Sequence, residues 1–234
     1  MRIGIVKRIA VVVTALVASL GVMAADKEMC CSSCGKTMEG KTIVMLGDSY
    51  VRNHRRPFEE SWHAKVASRL GMKYVNFGRN GSSIAFDRRK DGFGPAMTER
   101  YKEMPDTADY VVVIAGHNDA DYLRTHGIEQ WDEFCKGLDT LLSGLREKYP
   151  EAKIGFVTPW AVDRQYFKEV TDQIRKACAA HGVPVLDMAS MGVIDVNNPE
   201  FRARYFQGPN DTAHLNAEGH DLLLTVGEEF FRSL

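Results

Sequence analysis

Short apolar runs recur along the chain, and longer segments with apolar residues three and four positions apart lie between them. The runs predict five strands, at residues 41–46, 74–77, 110–115, 154–157 and 185–187. The run at 110–115 is continuously apolar, which is typical of a strand buried on both faces of a parallel sheet. We therefore expect a sheet that is covered by helices on both sides.

The segments between the strands predict amphipathic helices, and glycine or proline follows most of them, as expected at helix ends. Strands that alternate with helices define an α/β fold with a parallel sheet. The predicted helices cover residues 58–70, 131–149 and 167–177, with a short helix before Pro105 and a last helix from about Asn216 that buries Leu222, Leu223, Val226 and Phe230.

The first residues have the pattern of a secretory signal peptide. Basic residues precede an apolar segment at 9–23, which is shorter than a typical membrane span and ends in small residues suited to cleavage. We predict a signal peptide at 1–24, a cysteine-containing tail at 25–40 and one domain at 41–234. The expected location is exported, as a periplasmic, cell-surface or extracellular protein with no membrane span after cleavage. An uncleaved anchor is the alternative.

Three of the five cysteines, Cys30, Cys31 and Cys34, lie in the predicted tail. Export would permit disulfides, so pairing within the tail or with another chain is open. No second cluster with metal-ligand spacing follows, so the pattern does not favour a zinc site. Cys135 and Cys178 lie on predicted helices and are interpreted as small buried hydrophobes.

Composition and charge change this picture little. The chain has 234 residues, 44% hydrophobic and 26% charged, with a formal net charge of −1 at pH 7. These values are ordinary for a soluble globular protein and favour neither nucleic acid nor an anionic membrane as a partner. One local exception is the basic run at 52–56. It is either a solvated loop or a rim that attracts an anionic substrate.

Polar residues with complementary chemistry follow the predicted strands. The carboxyl ends of parallel strands meet at one edge of the sheet, where α/β proteins bind ligands. We therefore expect these residues to lie close together, although each has a simpler reading when taken singly. His214, for example, could be a hydrogen-bonded surface histidine, as His63, His126 and His181 are expected to be. The candidate residues are Ser49, Gly81, Asn118, Asp211 and His214.

Together these residue types suit the hydrolysis of an ester. His214 would take the proton of Ser49 and return it to the leaving alcohol, while Asp211 would fix the tautomer of His214. The backbone N–H groups of Ser49 and Gly81 and the side-chain amide of Asn118 would stabilise the tetrahedral oxyanion. No metal and no cofactor is implied.

Four short blocks give the chain a resemblance to the SGNH (GDSL-type) hydrolase family. The resemblance implies a three-layer, flavodoxin-like α/β/α fold with a five-stranded parallel sheet, and an esterase, lipase, acyl-thioesterase or carbohydrate deacetylase activity. It also implies the same roles for the five candidate residues. Two positions depart from the family pattern: Tyr50 replaces a leucine, and His117 fills a position that is often small. The blocks are Gly47-Asp48-Ser49, Asn76-x-Gly78-x-x-Gly81, Gly116-x-Asn118-Asp119 and Asp211-x-x-His214.

The sequence favours a secreted serine esterase that removes short acyl groups, such as acetyl, from a carbohydrate, because no long apolar acyl tunnel or lid helix is evident. Lysophospholipase or acyl-thioesterase activity is the enzymatic alternative. A non-catalytic glycan-binding envelope protein is the alternative of another class. Four aromatic residues are candidates either for a cleft that stacks on sugar rings or for ordinary packing: Tyr50, Trp160, Tyr166 and Phe206.

Overall fold

The computed structural model describes residues 37–234, in which five strands form one parallel sheet. The predicted signal peptide and Cys30, Cys31 and Cys34 lie outside the described residues. The strand order is β2-β1-β3-β4-β5 and all neighbouring pairs are parallel, so the predicted sheet is confirmed. The strands are β1 (Thr42–Gly47), β2 (Lys73–Gly78), β3 (Tyr110–Ile114), β4 (Lys153–Val157) and β5 (Val185–Leu186).

Helices and 3-10 turns connect these strands within residues 37–234. The α-helices are α1 (Ser49–Arg52), α2 (Trp62–Arg69), α3 (Met97–Arg100), α4 (His117–His126), α5 (Trp131–Lys148), α6 (Phe167–Ala180), α7 (Met188–Met191), α8 (Pro199–Tyr205), α9 (Ala217–Asp221) and α10 (Leu224–Ser233). The 3-10 turns are Phe58–Glu60, Arg89–Asp91, Tyr101–Glu103 and Ile128–Gln130.

The alternation of side chains along each strand produces two apolar layers. In β1, Val44 and Leu46 pack in one buried cluster with α3, α4, α5 and α6. Ile43 and Met45 point to the other face and pack with α2 and α10. The sheet therefore lies between two layers of helices, as expected for strands without polar positions.

The structure differs from the predicted elements at two places. No helix was predicted between the third strand and residue 131, but His117–His126 forms α4, whose buried apolar residues are only Ala120 and Leu123. The last predicted helix is split into α9 and α10, and the break leaves Leu222 37% exposed, so the prediction that Leu222 is buried is wrong.

The strand order places a topological switch point between β1 and β3. From β1 the chain crosses to β2 on one side, and β3 lies on the other side of β1. In open α/β sheets the loops at such a point diverge and leave a crevice for ligands at the carboxyl ends of the strands. Ser49 follows β1 and His117–Asn118 follow β3, so both sides of this crevice carry candidate residues.

Candidate active site

Ser49 begins α1 directly after β1, on a turn that is too tight for a side chain at position 47. A Cβ on Gly47 would collide with the side chain of Val51 and the carbonyl of Ile114. Asp48 caps the helix, since its Oδ1 accepts a hydrogen bond from the backbone N–H of Tyr50 at 2.9 Å. Ser49 is thereby held at the sheet edge with its hydroxyl next to His214.

His214 and Asp211 come from one turn and form a hydrogen-bonded chain with Ser49. Asp211 Oδ1 accepts from the backbone N–H of Ala213 at 2.8 Å and of His214 at 2.9 Å. Its Oδ2 lies 2.9 Å from His214 Nδ1, and His214 Nε2 lies 3.1 Å from Ser49 Oγ. A carboxylate only accepts, so Nδ1 carries the proton and Nε2 is free to accept from the serine hydroxyl.

The surroundings keep Asp211 ionised and the turn fixed. Burial raises the pKa of Asp211, but hydrogen bonds from His214 and Ala213 outweigh burial and place the pKa below its ordinary value. Between these residues, the carbonyl of Thr212 accepts a hydrogen bond from Trp160 Nε1 at 2.9 Å. The indole therefore ties the turn to the loop after β4.

Two of the three expected oxyanion donors are available. Within residues 37–234, the backbone N–H groups of Ser49 and Gly81 make no hydrogen bond. Gly81 has φ +70°, and a Cβ there would collide with the ring of Phe93. The loop after β2 thus needs glycine at this position to present its N–H group.

Asn118, the third expected donor, contacts both loops of the site in this structure. It lies in the first turn of α4, and its Nδ2 donates to Asp48 Oδ2 at 2.9 Å and to the carbonyl of Ser82 at 3.1 Å. Because an amide nitrogen has two hydrogens, both donors are in use in this structure. Asn118 therefore joins the loops that carry Ser49 and Gly81.

Buried charged residues hold these same loops, and the sequence reasoning missed the most important one. Arg100 is 5% exposed, and it donates from Nη1 to the carbonyl of Gly47 at 3.1 Å and to Ser82 Oγ at 2.9 Å. Its Nη2 donates to the carbonyl of Phe77 at 2.6 Å. Burial lowers the pKa of Arg100 to about 10, so it remains charged at neutral pH.

Two fully buried acidic residues, Asp48 and Asp119, also hold these loops. Asp119 accepts from the backbone N–H groups of Ile84 and Ala85 at 2.9–3.2 Å, which anchors the loop after β2 to α4. Burial raises the pKa of Asp48 to about 7 and that of Asp119 to about 6. Both residues therefore brace loops through backbone hydrogen bonds.

His54 is a second residue of the site that the sequence reasoning did not single out. Its ring stacks on His214 with the centroids 4.4 Å apart and an interplanar angle of 29°. Burial lowers the pKa of His54, as do the nearby His214 and Arg55. A histidine within a basic run after a short helix gives no sign of such stacking in the sequence, because the contact forms only when the loop after α1 is folded.

The basic run at 52–56 lies beside this stack. Arg52 and Arg55 are exposed, whereas Arg56 pairs with Glu60 at 2.6 Å. Arg55 adjoins His54 in the chain, so its charge lies close to the candidate site. Exposure of Arg52 and Arg55 fits both the rim and the solvated loop, so both alternatives remain open.

The aromatic residues proposed for sugar stacking are mostly core residues. Tyr50, Trp160 and Phe206 are 3–6% exposed, and Tyr50 and Trp160 pack with ring centroids 4.4 Å apart. Tyr166 is partly buried against the other apolar layer. These rings support the turn and helix around the site, and they do not form an open stacking surface.

His63 also differs from its expected place at the surface. It is fully buried, and its Nδ1 lies 2.8 Å from Tyr74 Oη while its Nε2 lies 3.2 Å from the carbonyl of Tyr50. Burial lowers the pKa of His63 to about 4. Cys178 is buried as expected, and Cys135 is half-buried.

The cavity beside Ser49 and His214 is small. A cavity lined by Ser49, His54, Trp160 and His214, among others, has a volume of about 10 Å³, enough for about one water molecule. A larger cleft of about 820 Å³ lies elsewhere, between α2 and the segment around Tyr74. The larger cleft shares no lining residue with the candidate site, so we do not assign the chemistry to it.

Other features of the described residues add no further chemistry. Between residues 37 and 234 there is no group of three or more His, Cys, Asp or Glu side chains arranged for a metal ion. The same part of the chain contains no helix with the length and apolarity needed to cross a membrane.

A parallel α/β sheet with a serine at a strand end, hydrogen-bonded to a His–Asp pair, has the arrangement of a hydrolase of the Ser-His-Asp class. The chain belongs to the GDSL-like lipase/acylhydrolase family, whose model matches residues 45–222. This confirms the resemblance stated above, and the family is one of ester-hydrolysing enzymes. No curated protein matches the chain.

Solved structures have the same fold at low sequence identity. A protein from Lactobacillus plantarum has a TM-score of 0.69 at 23% identity, covering 83% of this chain and 98% of its own. A candidate GDSL-like lipase from Bacteroides ovatus has a TM-score of 0.61 at 16% identity, covering 84% and 100%. An acetyl xylan esterase has a TM-score of 0.60 at 20% identity, covering 82% and 99%.

Proposed function

We propose that this protein is an exported serine esterase that removes short acyl groups, most simply acetyl, from a carbohydrate. The observation that carries the proposal is the chain of hydrogen bonds from Ser49 Oγ through His214 to Asp211, at 3.1 and 2.9 Å. These are the contacts that a serine nucleophile needs in order to lose its proton.

In the first half-reaction, Ser49 Oγ attacks the ester carbonyl while His214 Nε2 takes the serine proton. Asp211 stabilises the imidazolium that forms. The N–H groups of Ser49 and Gly81 would donate to the oxyanion, together with the amide of Asn118 once its hydrogen bond to Ser82 breaks. The intermediate then collapses, the C–O bond to the alcohol breaks, and His214 gives its proton to the leaving alcohol.

In the second half-reaction, a water molecule replaces the alcohol. His214 takes a proton from this water, whose oxygen attacks the acyl carbonyl on Ser49. Collapse of the second intermediate breaks the bond to Ser49 Oγ, and His214 returns the proton to the serine. The net reaction is the hydrolysis of one ester to one carboxylic acid and one alcohol.

Two observations favour a short acyl group. The enclosed space beside Ser49 and His214 is about 10 Å³, so it does not form a tunnel for a long acyl chain. The acetyl xylan esterase among the structural neighbours shares 20% identity, so it supports the fold and only suggests the substrate. The proposed substrate class therefore rests mainly on the size of this space.

The test compares the purified protein with its Ser49→Ala variant on p-nitrophenyl esters of increasing acyl length and on acetylated xylan. We expect the wild type to release acetate and its p-nitrophenyl rates to fall as the acyl chain lengthens. Ser49→Ala should lose at least about a thousandfold in kcat, since the nucleophile is absent. Circular dichroism should show the same fold in both proteins.

Ser68→Ala is the matched control, because Ser68 is exposed on α2 and lies outside the site. It should retain the wild-type rate. A Ser49→Ala preparation with undiminished activity would disprove the mechanism. Rates that rise with acyl length would favour the lysophospholipase or thioesterase alternative, and no turnover of any ester would favour a binding protein.

A further inference from the structure

Arg164 lies at the edge of the candidate site, on the loop after β4. Its Nη1 lies 2.8 Å from His117 Nε2, and His117 Nδ1 lies 3.1 Å from Tyr50 Oη. Arginine only donates, so Nε2 of His117 is the unprotonated nitrogen and Nδ1–H donates to Tyr50. Since Tyr50 follows Ser49, two hydrogen bonds connect the guanidinium to the residue beside the proposed nucleophile.

His117 in this position adds no charge of its own. Burial, followed by the charge of Arg164, lowers the pKa of His117 to about 3. His214 and Asp211 also act electrostatically on His117, so they lie in the same region as the guanidinium. The charge of Arg164 is thus neither neutralised nor reinforced by the imidazole that it contacts.

The carboxylate nearest to Arg164 is shared with other arginines. Asp121 lies 2.8 Å from Arg124, 3.7 Å from Arg88 and 3.7 Å from Arg164. Arg88 also pairs with Asp91 at 3.1 Å. In these salt bridges three guanidinium groups share two carboxylates, so Asp121 does not serve Arg164 alone.

Arg164 also has unused hydrogen-bond donors. Of its five N–H donors, one donates to His117, and no other hydrogen bond from its guanidinium occurs within residues 37–234. The side chain is 26% exposed, so the remaining donors can reach a ligand. A planar guanidinium that has free donors and shares its nearest carboxylate with two other arginines matches a carboxylate ligand.

We propose that Arg164 binds a carboxylate of the substrate and that the protein therefore acts on acetylated acidic glycans, such as those that contain uronic acids. This inference rests on the proposed function of Ser49. An acetyl group carries no charge, so the carboxylate belongs to the alcohol part of the ester. Arg164 is then a specificity-determining residue that touches the substrate one loop away from Ser49.

The experiment uses two small substrates that differ only in the carboxylate, an acetylated methyl glucuronoside and the corresponding acetylated methyl glucoside. We expect the wild type to prefer the uronide by about tenfold or more in kcat/KM at low salt. This preference should shrink as ionic strength rises, because the guanidinium is partly exposed. Arg164→Gln should remove the preference, and Arg164→Lys should restore part of it.

Arg124→Gln is the matched control. It removes the same charge from the same carboxylate, Asp121, but Arg124 makes no contact with His117. Its preference for the uronide should equal that of the wild type. Equal preference in Arg164→Gln and wild type, or no preference in the wild type, would overturn the inference.

A binding measurement separates this inference from the proposed function. Calorimetry on the inactive Ser49→Ala variant should show that methyl glucuronoside binds and that methyl glucoside binds more weakly. The double variant with Ser49→Ala and Arg164→Gln should bind the two glycosides equally. This result stands even when turnover fails. Tighter binding of glycerol phosphate than of the glucuronoside would refute the carboxylate and indicate a lipid headgroup. Hydrolysis of p-nitrophenyl acetate without any preference for the uronide would refute only the inference.

Discussion

Replacing Arg100 with methionine would remove the buried cation that joins the two loops nearest to Ser49. The guanidinium donates to the carbonyls of Gly47 and Phe77 and to Ser82 Oγ. Methionine retains much of the apolar stem, so the change mainly deletes hydrogen bonds. Gly47 precedes the turn of Ser49, and Ser82 follows Gly81.

The expected loss of stability follows from these three contacts. A hydrogen bond from a charged donor contributes about 1.5–3 kcal/mol, and a buried acceptor left without a partner costs about 1–3 kcal/mol. Methionine also avoids the burial of a charge, which offsets part of the loss. We expect the free energy of unfolding to fall by about 3 kcal/mol for Arg100→Met, a large fraction of the roughly 5–15 kcal/mol typical of a domain.

Urea unfolding, followed by tryptophan fluorescence and circular dichroism, measures this difference. The slope of the unfolding free energy against urea concentration should stay unchanged, while the urea concentration at the midpoint falls. Arg89→Met is the control, because the Arg89 side chain is 58% exposed and pairs with Asp87 and Glu99 at the surface. Its unfolding free energy should stay close to that of the wild type, because exposed ion pairs contribute little.

Two results bear directly on the reasoning. Arg100→Lys should recover part of the stability, since one ammonium can donate to some of the three acceptors but cannot span all of them. A change below about 1 kcal/mol in Arg100→Met would refute the view that this cation holds the loops together.

Two further predictions concern Asn118 and His63. Asn118→Ala should lower kcat on p-nitrophenyl acetate by roughly a hundredfold or more through loss of an oxyanion donor, and an unchanged kcat would mean that Asn118 only braces Asp48 and Ser82. The pKa of His63 is lowered to about 4. As pH falls, His63 therefore takes up a proton in the unfolded chain before it does so in the folded protein. The stability contributed by neutral His63 is complete above about pH 6.5 and is lost as pH falls through about 4. An NMR titration of His63 with a midpoint near 6.5 would contradict this.

The sheet could be predicted from the sequence because strands buried on both faces have continuous apolar runs, as in Tyr110–Ile114. The helix His117–His126 could not, since its buried apolar residues are Ala120 and Leu123 alone. A helix that packs mainly through buried polar residues, such as Asp119, has no apolar stripe to reveal it.

The candidate residues at strand ends were found because all such ends meet at one edge of a parallel sheet. Arg100 was missed because nothing near it in the sequence indicates its contacts. Its partners Gly47, Phe77 and Ser82 are 53, 23 and 18 positions away along the chain, and an arginine usually indicates an exposed position. Only the packing of α3 beneath the loops makes it a buried residue.

The aromatic residues show the same limit. Trp160 follows a strand, where a stacking role is reasonable, but the indole is 4% exposed. Its N–H finds a partner in the carbonyl of Thr212, as a buried tryptophan normally requires. The sequence indicates that the ring of Trp160 lies near the site. Its hydrogen bond to Thr212 shows that the ring supports the turn of His214 and does not face a substrate.

Asn118 links the two oxyanion loops in a way that constrains how the site can work. To serve an oxyanion, its amide must give up one of its two acceptors. Asn118 Nδ2 lies 2.9 Å from Oδ2 of the buried Asp48 and 3.1 Å from the neutral carbonyl oxygen of Ser82. Above about pH 7, where Asp48 is ionised, its hydrogen bond is the stronger one, so the bond to Ser82 is the one expected to break. Its loss would loosen the loop that carries Gly81, so we expect the amide of Asn118 and the N–H of Gly81 to reach the oxyanion together.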